Sequence, residues 1–174
     1  MGKYFDTGWV KPITPVTNQI ATNKGDDAFA DKDIVFDWLA VDIPKGTHKL
    51  IDACMIVQGN HGGRQAEVDF QLWFAKGIDG VAPASLGTVN SAVSGSGHRK
   101  HMLGILQFDS SQAATDTFIY NSFYSTALSS TDGLKTVNSG IIVNGDPNSG
   151  TNVGFDKIYV AGISMGALNF STNV

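Results

Sequence analysis

Beyond residue 33, apolar and polar positions alternate with a period of two along much of the chain. Ile34, Phe36, Trp38 and Ala40 alternate with Val35, Asp37, Leu39 and Val41. That spacing predicts a strand with two largely apolar faces. Leu50 to Val57 is a nearly continuous apolar run of strand length. Residues 66 to 75 give the cleanest alternation, with Val68, Phe70, Leu72 and Phe74 inward and Glu67, Asp69 and Gln71 outward. This pattern predicts a half-buried antiparallel strand with one wet face. Further strands are expected at 101–108, 117–124, 136–143 and 155–164.

Turn chemistry separates these runs. Pro44-Lys45-Gly46-Thr47 places Pro and Gly where a reversal wants them, 59–63 carries three glycines, and 144–150 is dense in Asn, Gly, Asp and Pro. Residues 77–97 are small and irregular, a long excursion of the kind usually kept for function or contact. Seven to nine strands, no convincing helix and no internal repeat predict an all-β fold. The expected architecture is an antiparallel β-sandwich, jelly-roll-like. Residues 1–25 carry Tyr4, Phe5, Trp9, Pro12 and Pro15 with little periodicity. They are expected to form an extended N-terminal arm on a single domain spanning 26–174.

Composition sharpens the same picture. Gly, Asp, Ser, Thr, Asn and Pro supply 78 of 174 residues, and Val and Ile outnumber Leu and Met 27 to 13. Helix formers are scarce where β-branched and turn residues abound, which excludes a helical bundle. A charged fraction of 16% beside 42% apolar residues is not that of a disordered chain. The net charge of −4 argues against a general nucleic-acid binder. No apolar run reaches a membrane span of roughly 20 residues. The opening MGKYFDTGWV lacks the apolar core of a secretory leader. A lone Cys54 cannot form an internal disulfide and, inside LIDACMIV, reads as a small hydrophobe.

Candidate chemistry is sparse. Gly162-Ile163-Ser164-Met165-Gly166 fits the spacing of a nucleophile elbow, but neither a His nor an acid follows it. It reads as a strand end with close-packed glycines. Glu67 and Asp69 stand where a jelly-roll glycosidase keeps carboxylates, yet Leu72 occupies the place of the second Glu. Asn144, Asp146 and Asn148 open like a calcium loop, with Ser149 and Phe155 where an EF-hand needs Gly and Glu. A looser oxygen cage there, or at Asp26, Asp27, Asp31 and Asp33, competes with plain turn chemistry. His98 and His101, with His61, suggest zinc, but on a strand two residues spaced by three point to opposite faces. Gly95 to His101 is therefore expected to be a solvent-facing loop, with His98, Arg99 and Lys100 as a basic contact patch. Trp38 and Trp73 are expected in the core, whereas Trp9, with Tyr4 and Phe5, makes sense on an arm that docks. No catalytic residue, metal or cofactor is expected.

Phe36 to Thr47 (FDWLAVDIPKGT), running into LIDACMIVQG and VDFQLWFAK, together with FDKIYVAGIS, resembles virion structural proteins of tailed bacteriophages. The likeness is to the small β-sandwich capsid decoration or accessory proteins of marine phages. It implies a non-enzymatic protein made in the host cytoplasm and carried on the capsid surface. There it would bind the major capsid protein or another virion protein as a homo-oligomer, such as a trimer, without membrane or direct nucleic-acid contact. Two other readings stand beside it. One is a carbohydrate- or receptor-binding adhesin domain of a tail or fibre, resting on Trp9, Tyr120, Asn121 and Tyr124. The other is a jelly-roll glycan hydrolase resting on Glu67 and Asp69.

Overall fold

The structure is a computed structural model. It describes residues 5, 6, 8, 29–51, 53–58, 69–108, 121–125, 141–146 and 156–166, with 54–58 and 121–125 described by backbone alone. The described residues hold eight strands: β1 Ile34–Asp42, β2 Thr47–Lys49, β3 Cys54–Gln58, β4 Phe70–Ala75, β5 Met102–Phe108, β6 Asn121–Ser125, β7 Ile142–Asn144 and β8 Lys157–Ser164. Among the described residues the helical content is one 3₁₀ turn, Arg99–His101. The all-β expectation is met.

Every ladder is antiparallel. One sheet has the order β1-β8-β4-β5, while β2 pairs with β7 and β3 with β6. First pairs with last, second with seventh, third with sixth and fourth with fifth. These are the pairings of one long hairpin doubled over. The expected turn at Pro44–Thr47 forms, with Gly46 at φ +117 and the His48 Nε2 proton donated to the Pro44 carbonyl at 2.9 Å. Short β2 follows directly where only a turn was expected.

Register explains why β1, β8 and β4 bury residues on both faces of the four-stranded sheet, while Ile105 and Gln107 of β5 stay exposed on the second. Residues opposite one another across a ladder share a face. On the first face Phe36 and Leu72 flank Gly162, Val160 lies opposite Phe74, and Ile158 opposite Val41. With Leu106 and Phe108 of β5 and Ile141 and Val143 of the β7 region they form the larger core. On the second face Ile34 meets Ile163 and Trp73 meets Ala161. Register shifts in β1 around Phe36 let both Val35 and Phe36 reach the first face.

The second face is the correction to the wet-face expectation for β4. The excursion at 77–97 folds over it: Leu86 is fully buried with Ile34, Ala161 and Ile163, and Val89, Val93, Trp38 and Trp73 pack around them. This cover is tied to β1 by its backbone. Ile34 N–H donates to Ser91 O at 3.0 Å and Asn90 N–H to Ile34 O at 2.9 Å. Side chains add to the hold, since Trp38 Nε1 donates to Ala84 O at 2.9 Å and Leu86 N–H to Asp37 Oδ1 at 3.1 Å. The excursion thus covers part of a sheet face with Leu86, Val89 and Val93 and follows the edge of β1.

Two glycines make close layers feasible. A Cβ on Gly104 would lie 2.7 Å from Ile141 Cγ1, so the β7 region packs directly on β5. A Cβ on Gly162 would sit inside the rings of Phe36 and Phe70, whose centroids are 6.3 Å apart. Gly166 has open space, so only the first glycine of the Gly-x-Ser-x-Gly stretch is close-packed as expected. Gly162→Ala should therefore destabilise by about 2 kcal/mol or more through overpacking. Gly166→Ala should stay within about 0.5 kcal/mol of the parent. Paired urea midpoints check this, and equal midpoints for the two variants would contradict it.

Candidate functional site

The stretch with the densest polar chemistry is the 3₁₀ turn that ends the excursion, and the structure divides it in two. Arg99 N–H donates to Ser96 O at 3.1 Å and His101 N–H to His98 O at 2.9 Å. In a 3₁₀ turn residues three apart are eclipsed. His98 and His101 therefore both turn inward, at 4% and 2% exposure, while Arg99 and Lys100 stay outside. The expected solvent-facing loop is corrected on this point: His98 is buried, whereas Arg99 and Lys100 are exposed. The strand rule applied to the two histidines fails because the chain is not yet extended at residue 98.

His101 closes the neck of the excursion. Its Nδ1 proton is donated to Lys76 O at 2.8 Å, and Lys76 N–H donates to His101 O at 2.9 Å. The first residue after β4 is thereby tied to the last before β5. His98 is held differently. Its ring lies between two indoles, with centroids 6.5 Å from Trp38 and 5.9 Å from Trp73. Trp38 belongs to β1 and Trp73 to β4, so one imidazole spans two strands beneath the cover. Neither Trp is deeply buried, and each indole N–H has a partner, Ala84 O for Trp38 and Gln71 Oε1 for Trp73, both at 2.9 Å.

The His98 Nδ1 atom is buried without a hydrogen-bond partner. Loss of solvent and the neighbouring Arg99 charge push this imidazole below the ordinary histidine range; Asp37 pulls the other way, and His101 adds to the depression. The ring is thus held neutral near pH 7, packing as an aromatic between aromatics.

Other candidates are engaged with backbone. Ser164 is fully buried, and its Oγ donates to Ala30 O at 2.5 Å. Asp33, also buried, accepts Ala30 N–H at 2.7 Å through Oδ2. Asp146 is 3% exposed and accepts Gly80 N–H through Oδ2 at 2.7 Å, pinning the start of the excursion to the end of β7. Both expected turn clusters thus supply fold contacts at these residues. Among the described residues no three His, Cys, Asp or Glu side chains converge as a metal site would require. Lys157 pairs with Asp42 across β1 and β8, which raises the affinity of its amine for a proton.

Of the arm, Phe5 is described and 55% exposed, and the Asp6 carboxylate accepts Gly8 N–H at 2.8 Å. Tyr4, Trp9, Asp26, Asp27, His61, Glu67, Tyr120 and Asn148 lie outside the described residues, as do the side chains of Cys54, Asn121 and Tyr124. The arrangement missed from sequence is the tilted packing of His98 against Trp38 and Trp73. Its legible trace was two Trp residues on strands expected to be apolar. Compared with family models, curated proteins and solved structures, the chain matches none.

The sign of the acid dependence follows from His98. A histidine depressed in the folded state contributes stability that is full above its unfolded value of about 6.5 and declines as pH falls below it. Urea midpoints should therefore drop between pH 7.5 and 5.5, and His98→Phe should flatten that part of the profile. A midpoint that rises on acidification through this window would contradict the burial.

Proposed function

We propose that this protein is a non-enzymatic virion structural protein of a tailed phage: a capsid decoration protein that binds the major capsid protein on the outer shell. The observation that carries the reading is how the described polar chemistry is engaged. Of the candidates for catalysis or metal binding, Ser164, Asp146 and His101 each bond a backbone group of a distant segment, and Asp33 bonds the Ala30 amide within its own turn. Arg99 and Lys100 sit outside on the same ordered turn. A rigid scaffold displaying an exposed basic pair suits adhesion to an acidic neighbour.

The fold supports the same reading. The stretches that resemble decoration proteins coincide with β1 and its turn, β3, β4 and β8. We read the nested pairing of eight strands as jelly-roll-like, with the four-stranded sheet and the β2–β7 pair as facing layers that meet where Ile141 packs over Gly104. The layout departs from that plan where β4, rather than β3, lies beside β8. Residues 1–25 are read as an arm that orders on its partner, for which Phe5 offers apolar surface, with Tyr4 and Trp9 nearby in sequence. Decoration as a homo-oligomer, a trimer among the options, completes the proposal.

Purified capsids stripped of this protein are the test. Removal of residues 1–20 should leave a folded domain whose capsid binding is weakened at least tenfold. Arg99→Glu with Lys100→Glu should weaken binding further and blunt its salt sensitivity. Undiminished binding by both variants would overturn the proposal, as would a strong, selective signal on a glycan array without capsid binding.

A further inference from the structure

Residues 77–97 reach the second sheet face from a neck closed by Lys76 and His101, and one buried titratable ring, at the end of this cover, packs against two indoles of the sheet. Four observations converge on it. The His98 imidazole is buried, its Nδ1 lacks a partner, it packs against Trp38 of β1 and Trp73 of β4, and the turn carrying it ends the cover. Beneath the cover lies an apolar patch of Ile34, Ala161 and Ile163, reached only if Leu86 lifts. We propose that His98 is a proton-operated latch: protonation expels the ring from between the two indoles, frees the 77–97 cover and bares this apolar face.

The groups facing the ring decide the direction. From its own turn come the Arg99 guanidinium and His101, which disfavour a second positive charge; from β1 comes the Asp37 carboxylate, which favours one. Asp37 is already engaged by the Leu86 amide, a contact of the cover itself. A protonated His98 competes for that carboxylate, so relief of its charge pulls against the bond that holds Leu86 down. From β4 the ring meets Trp73. An indole face attracts a cation, but the buried position denies the imidazolium the hydration that an outward swing restores. The neck bond from His101 to Lys76 survives this motion, so the cover opens as a loop on a closed base while β4 and β5 remain paired.

Two measurements on the full chain test the latch. Amide exchange at Leu86, Asn90 and Ser94, corrected for the intrinsic pH dependence of exchange, should accelerate between pH 7 and 5 by up to about tenfold per unit. Exchange at Leu72 and Ala161 should not follow. His98→Phe, which keeps an aromatic between the indoles, should abolish the acceleration, and His98→Gln provides a second uncharged variant should Phe disturb folding. The His98 ring followed by NMR in the unaltered protein needs no variant: it should titrate below the ordinary value together with the cover amides. A ring titrating at or above the ordinary value, acceleration that persists in both variants, or amides of β4 and β8 opening together with the cover would each overturn the proposal.

Discussion

A strand with neighbours on both edges and apolar layers on both faces can leave neither its backbone nor its side chains to water, and β8 is in that position. Its amides and carbonyls face β1 on one side and β4 on the other. Its even-numbered residues Ile158, Val160 and Gly162 face the larger core, while Ala161 and Ile163 face the smaller one beneath the cover. A shift of one residue would exchange those sets and drive Ala161 or Ile163 into the space that Gly162 leaves for two phenylalanine rings. The register of this one strand therefore fixes which face of β1 and β4 receives which core. It also determines where Ser164 ends the ladder and bonds the chain at Ala30.

The constraint on β8 is assembled from distant parts. The partners of β8 lie at residues 34–42 and 70–75, and among the described residues its pairing with β1 encloses the other strands. Such non-local ladders form slowly and gain little until several are in place. The loops must therefore contribute to sealing the sheet, which gives a physical reason for the excursion at 77–97. Without Leu86 and its neighbours, Ile34, Ala161 and Ile163 would lose their cover. The binding role proposed for the protein draws on the same closure, with the exposed Arg99 and Lys100 as its proposed contacts.

Most strands could be read from sequence because period-two alternation is a direct record of burial. Phe70, Leu72 and Phe74 point to β4, and the pattern at 155–164 predicts the strand that forms β8 without showing that both its faces are buried. What escaped detection was written without period. The cover contributes Leu86, Val89 and Val93 from a background of Gly, Ser and Ala, and its path is set by bonds to Ile34, Asp37 and Trp38 that no local pattern encodes. His98 was misplaced for a related reason. Its neighbours Arg99 and Lys100 mark the segment as polar, yet a neutral imidazole packs as an aromatic ring, and the short 3₁₀ turn that aims it inward has no signature in three residues. Trp38 and Trp73 pointed to a second apolar face, but which element filled it depended on tertiary contacts.

The primacy of β8 is open to direct measurement. Native-state amide exchange for Ile158, Val160, Ala161 and Ile163, compared with the free energy of urea unfolding under the same conditions, reports whether this strand opens alone or only with the whole domain. Exchange of these amides at the global unfolding free energy, more slowly than any amide of β2 or of the 77–97 cover, is the predicted result. Exchange by small local openings, with β8 less protected than β2, would contradict the account.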